Sequence, residues 1–110
     1  MQRAADEGYA QAQFVFGTFV TRHRPGAPTD ICVAERYWRQ SAAGGRQAAR
    51  IQYLRYATKG RFDGCAGTLD AAQRRELLGV ATAAAHDFYE RLVIEDLTDA
   101  LAARPDRERT

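Results

Sequence analysis

Metal ligands are scarce in this chain: its 110 residues include two histidines and two cysteines. Neither Cys32 nor Cys65 belongs to a Cys-x-x-Cys pair, so the spacing of a zinc site is missing. His86-Asp87 has the order of the paired ligands of metal phosphohydrolases, but the further histidines those sites need are missing. On a helix, neighbours point about 100° apart, so the two cannot converge on one ion. The pair reads as a surface histidine beside a helix-start acid. Gly64-Cys65-Ala66-Gly67 is not followed by Lys-Ser/Thr, which excludes a phosphate cradle. No serine has the flanking glycines of a nucleophile elbow, and only three carboxylates precede Ile31. No catalytic residue, metal or cofactor is therefore expected; the rival reading is a small helical enzyme or metal protein built around His86. No apolar run approaches the ~20 residues of a membrane span, and no secretory leader is evident.

Acidic residues are also missing where they would matter most. Residues 36–61 carry seven cations (Arg36, Arg39, Arg46, Arg50, Arg55, Lys59 and Arg61) and no acid. Residues 1–35 carry three basic and four acidic groups, and residues 62–110 six and ten, leaving a net charge of +2. Arginine supplies nearly all the positive charge, and its forked guanidinium suits carboxylate and phosphate partners better than lysine does. The stretch has three readings. It presents Arg46, Arg50, Arg55 and Lys59 to an acidic protein or peptide. It contacts nucleic acid, a weaker reading because Tyr53 and Tyr56 fall on a packed stripe rather than a stacking surface. Or it faces Glu90, Glu95, Asp96 and Asp99 of the acidic C-terminal segment, within one fold or across a dimer.

What is present is helical periodicity. In Asp30–Gly45, Ala34, Tyr37, Trp38, Ser41 and Ala42 fall at three- and four-residue steps, with Asp30 as N-cap and Gly44-Gly45 as the stop. A helix from about Tyr9 to Thr21 turns Ala12, Phe16 and Phe19 inward, with Gly17 allowing close helix contact. Another spans roughly Arg46–Lys59, with Ala49, Tyr53, Tyr56 and Gly60 on one stripe. Between them, His23–Thr29 holds Pro25, Gly26 and Pro28 and reads as a loop. A glycine-rich loop, Gly60–Gly67, follows.

The first of these helices and the third are related by an offset. Ala4-Ala5-Asp6-Glu7-Gly8 matches Ser41-Ala42-Ala43-Gly44-Gly45 after 37 positions, and the same step carries Ala12 to Ala49, Phe16 to Tyr53 and Phe19 to Tyr56. A period between about 20 and 50 residues is the mark of stacked helix pairs. Ala4, Ala5, Gly8, Ala10, Ala12, Gln13, Phe16 and Gly17, then Asp30, Ala34, Tyr37, Trp38, Ala42 and Gly45, resemble the Sel-1-like repeats, relatives of the tetratricopeptide repeats. Ala49, Tyr53 and Gly60 continue the pattern. Val20 replaces its usual Tyr, His23 its usual Gly, Ser41 the first Ala of a pair and Leu54 the second helix Gly. Beyond Gly60 the likeness fades, with only Ala71 at the expected offset.

The resemblance implies an all-α fold: a short right-handed α-α superhelix, or solenoid, of helix pairs over residues 1–68. It also implies a non-catalytic scaffold or adaptor that binds its partner on the inner face formed by the first helix of each pair. Residues 4–8 then read as the end of a helix begun upstream, in a longer array, and the compartment stays open. Cys32 and Cys65 fall on neighbouring loops one repeat apart, farther than the ~7 Å a disulfide tolerates between α-carbons. Some secreted family members staple each repeat internally, a pattern this spacing does not fit. Free thiols are expected.

Residues 69–103 contain no proline, and their apolar residues fit one long helix or, preferably, two helices broken near Gly79–Thr82, with Thr82 capping the second. Because about three repeats are needed to bury their faces, this segment is expected to cap the second pair. The alternative is that a stripe of Phe88, Leu92 and Leu101 meets a second copy as a homodimer. Residues 104–110, with Pro105 and alternating charges, are expected to fray.

Overall fold

The computed structural model describes residues 8–108, with residues 103–108 as backbone only. It is all-helical: α1 spans Ala10–Thr21, α2 Ile31–Ala43, α3 Gln47–Thr58, α4 Ala71–Ala83 and α5 Phe88–Glu108. No strand occurs among the described residues, and no helix there is long and apolar enough to cross a membrane.

The ends of these helices follow from their sequence. The Asp30 carboxylate accepts from the Cys32 N–H at 2.9 Å and starts α2. Asp70 and Gln73 form a reciprocal capping box that starts α4. At the end of α2, Gly45 takes φ 101°, so that Gly45 N–H reaches Ala42 O and Arg46 N–H reaches Ser41 O. This double bond pattern consumes carbonyls that would otherwise be orphaned. The same closure ends α3 through Gly60, and ends α1 through His23, which accepts the left-handed conformation at φ 53°. His23 thus takes the left-handed conformation that glycine holds at the ends of α2 and α3.

Helices α1 and α2 run antiparallel. Ser41 donates to Ala10 O at one end, Trp38 Nε1 to Phe14 O further along, and Val20 packs with Ala34 towards the other. The core continues as Trp38, Tyr53, Ala57, Phe62 and Cys65 between α2, α3 and the following loop. It ends as Leu54, Leu78, Ala81, Ile94, Leu97 and Leu101 among α3, α4 and α5. Each buried leucine of that last cluster contributes about 1.5–3 kcal/mol. Successive helices thus pack on their chain neighbours, and α5 also reaches back to α3.

Three features of the C-terminal half depart from expectation. The step from Ala10 to Gln47 is 37 positions, but that from Ile31 to Ala71 is 40, because the loop before α4 is three residues longer than the loop before α2. With that correction Asp70 takes the N-cap place of Asp30, and Arg74, Leu78 and Ala81 occupy the places of Ala34, Trp38 and Ser41, the three helical positions buried in both helices. The helix break lies at Ala84–Asp87, not Gly79–Thr82. The Thr82 hydroxyl bonds back to Leu78 O inside α4, while the Asp87 carboxylate accepts from Glu90 N–H at 2.8 Å and caps α5. Helix α5 continues through residues 104–108, where fraying was expected. Ala4 and Ala5, which begin the repeat match, lie outside the described residues, as do residues 109–110.

The expectation of free thiols is overturned. Cys32 and Cys65 form a disulfide, with α-carbons 5.3 Å apart. The loop after α3 does not extend away as a repeat loop would. Phe62 plunges into the core at 0% exposure beside Trp38, Tyr53 and Tyr56, which draws Cys65 back to the first turn of α2.

Candidate functional site

Helices α1, α3 and α5 each contribute to one continuous face. Phe14, Ala48, Ile51, Gln52, Arg55, Tyr89, Glu90 and Val93 line one depression of about 240 Å³ across all three helices. A larger groove of about 530 Å³ runs between α3 and α5, with Arg55, Thr58 and Lys59 on one wall and Val93, Asp96, Leu97 and Ala100 on the other. A third hollow of about 240 Å³ lies at the end of α3, between Gln52, Arg55, Tyr56, Lys59 and Arg61. Arg55 borders all three.

The four cations expected to bind a partner are therefore divided. Arg55 and Lys59 share the groove and the hollow, and neither forms an ion pair among the described residues. Arg46 stands before α3 at the opposite end, its guanidinium over the Phe14 ring at 5.7 Å. Arg50 departs from the expected patch. It donates to Gln47 Oε1 at 3.1 Å, its Nε is buried with no partner among the described residues, and Gln47 in turn donates to Ala81 O and Glu90. Arg61, not singled out by spacing, joins Arg55 and Lys59 because the closing turn at Gly60 folds it back until its guanidinium lies 5.3 Å from the centre of the Tyr56 ring.

Among the described residues no C-terminal acid forms an ion pair with this charge: Asp96 faces Arg55 and Lys59 across the groove unpaired, and Glu90 is hydrogen-bonded to Gln47. Phe88 and Leu92 of the stripe proposed to meet a second copy are exposed, but Leu101 belongs to the core at 4% exposure. That stripe therefore stops after one turn. His86 is exposed, and its neighbour Asp87 serves the α5 N-terminus.

A second polar cluster is internal. Glu35, 1% exposed, accepts from Arg39 Nε at 2.8 Å, from Arg39 Nη2 at 3.0 Å and from the Tyr53 hydroxyl at 2.7 Å. Tyr53 also meets Thr68 Oγ1 and accepts from Leu69 N–H, which fastens the α3–α4 loop to two helices. Burial pushes the Tyr53 phenol above its ordinary value, and the Glu35 hydrogen bond adds to that shift. The paired carboxylate likewise raises the Arg39 guanidinium above its own. Every group in this cluster has partners inside the fold, so it holds the chain together. Sequence reasoning passed over Glu35 and Arg39, although their four-residue separation on one helix is the usual signal of a pair.

Tyr53 is fully buried and Tyr56 is half-buried against Trp38 and Phe62, so neither presents a bare ring to a nucleobase. The chain matches no family model, no curated protein and no solved structure.

Proposed function

We propose that the chain is a non-catalytic protein-interaction module, a short solenoid of Sel-1-like helix pairs that receives an acidic protein or peptide on the face formed by α1, α3 and α5. In that reading α1–α2 and α3–α4 are the two pairs, and α5 is the first helix of a third position that closes the stack. The buried positions shared by α1 and α3 at a step of 37, and by α2 and α4 at a step of 40, support it. So does the seam of small residues, Gly17, Ala34, Ser41, Ala49 and Ala57, that lets the helices approach.

The observation that carries the functional half is Arg55, which borders every hollow of the face and is paired with no acid among the described residues. An arginine presented on a rigid helix can engage a carboxylate through two parallel hydrogen bonds at little entropic cost. A labelled polyglutamate peptide, titrated by fluorescence anisotropy at low salt, tests this. The double variant Arg55→Glu with Lys59→Glu should weaken binding by about tenfold or more with unchanged helicity. Arg46→Glu should weaken it less, since Arg46 lies at the far end. Undiminished binding by the double variant would remove the acidic-partner reading.

A further inference from the structure

We infer that the hollow at the end of α3 and the groove beside it form one composite subsite, which holds an acidic side chain of an extended peptide between Arg55, Lys59 and Arg61 and seats a neighbouring aliphatic side chain on Val93 and Ala100. The inference rests on the interaction-module reading and specifies what that face selects.

Three cations converge on one hollow of about 240 Å³, and none is in an ion pair among the described residues. The end of a helix carries partial negative charge that could by itself employ them. Here that demand is met from inside. Tyr56 O and Ala57 O accept the N–H groups of Arg61 and Gly60, and Ala57 O also receives a guanidinium N–H from Arg74, which is 4% exposed. Buried Arg74 therefore supplies the positive charge that the α3 terminus calls for. Arg55, Lys59 and Arg61 are left in surplus at the surface.

The second half of the subsite is apolar. Arg55 and Lys59 border both cavities, and beyond them the α5 wall of the groove offers Val93, Leu97 and Ala100. Asp96 stands on that same wall and repels a second carboxylate. Orientation follows: the acid goes to the Arg61 side, and the uncharged side chain to the α5 side. Because the cavities share two residues, the two ligand side chains must lie close in sequence, as residues two apart do on one face of an extended chain. The seating of Arg61 over Tyr56 fixes part of the acid-binding half before a ligand arrives.

The test uses three short labelled peptides: one repeating Glu-Ser-Leu-Ser, which puts glutamate and leucine two apart on one face, one with every leucine replaced by serine, and one with every glutamate replaced by glutamine. The 110-residue chain should bind the first about tenfold more tightly than either of the others. Two exposed single variants, Arg61→Glu at the hollow and Ala100→Glu on the groove wall, should each reduce that binding by a similar factor with unchanged circular dichroism. Equal affinity for the serine peptide would overturn the composite subsite and leave the acidic-partner reading standing. Failure of folded protein to bind any glutamate-bearing peptide would remove both. Tighter capture of an oligothymidylate of equal charge would overturn the assignment of a peptide to this site.

Discussion

Trp38 lies flat against Gly17: a Cβ added to that glycine would stand 2.5 Å from the indole Cδ1 and Nε1, while the same Nε1 donates to Phe14 O at 3.0 Å. The glycine lets α1 approach close enough for a tryptophan on α2 to satisfy its N–H on the α1 backbone. Gly17→Ala gains about 1 kcal/mol of helix propensity but must displace an indole that is 2% exposed. A net loss of about 1–2 kcal/mol is expected. Gly79→Ala is the control, because nothing lies within 4 Å of its would-be Cβ. It should stabilise by about 0.5–1 kcal/mol. Urea denaturation of both variants checks the pair, and a stabilised Gly17→Ala would show that the α1–α2 seam is looser than described.

His23 holds φ 53° at the α1 terminus, where its N–H and that of Arg24 close the helix onto Val20 O and Phe19 O. A side chain in this region costs roughly 1–2 kcal/mol, and a glycine repays part of that in unfolded-state entropy. His23→Gly should therefore raise stability by about 0.5–1 kcal/mol. A lowered melting temperature would mean that the imidazole makes a compensating contact.

The Cys32–Cys65 bridge closes a loop of 33 residues. On the chain-entropy account, a loop of this size is worth about 3–4 kcal/mol. Reduction of the native protein, or Cys32→Ala with Cys65→Ala, should lower stability by an amount of that order. The most exposed readout is hydrogen exchange at Leu69 N–H, which the Tyr53 hydroxyl holds next to the tethered loop. Identical denaturation midpoints with and without reductant would count against the bridge.

Glu35 and Tyr53 give a pH signature. The Tyr53 phenol is raised above 10.0, chiefly by burial. A group raised in the folded state stabilises fully below its unfolded value, and that contribution is lost as pH rises through the folded value. Stability should thus hold up to about pH 10 and fall above it, in step with a late-titrating tyrosinate absorbance. Tyr53→Phe should remove the late titration. Glu35→Gln, which replaces a buried carboxylate bonded to both Arg39 and Tyr53, should cost about 3 kcal/mol. A tyrosine titration in which all rings ionise together would contradict the burial of Tyr53.

The sequence by itself determined the local structure. Residues repeating at three and four positions, an Asp ahead of α2, and glycines behind α2 and α3 specify α1, α2 and α3 to within a residue or two at each end. They also put Phe16, Ala34, Trp38 and Tyr53 in the core, because helix formation and capping depend on neighbours within about one turn. Longer-range relations were illegible there. A three-residue lengthening of the second loop hid the correspondence of α4 with α2. The descent of Phe62 into the core joined two cysteines that lie 33 positions apart. The turn at Gly60 moved Arg61 beside Arg55 and Lys59, while Arg50, on the same helix and equally basic, was drawn into the Gln47 hydrogen bonds. Only the tertiary structure decided which arginines remain free, since a side chain's partners are fixed by packing between segments that no local pattern connects.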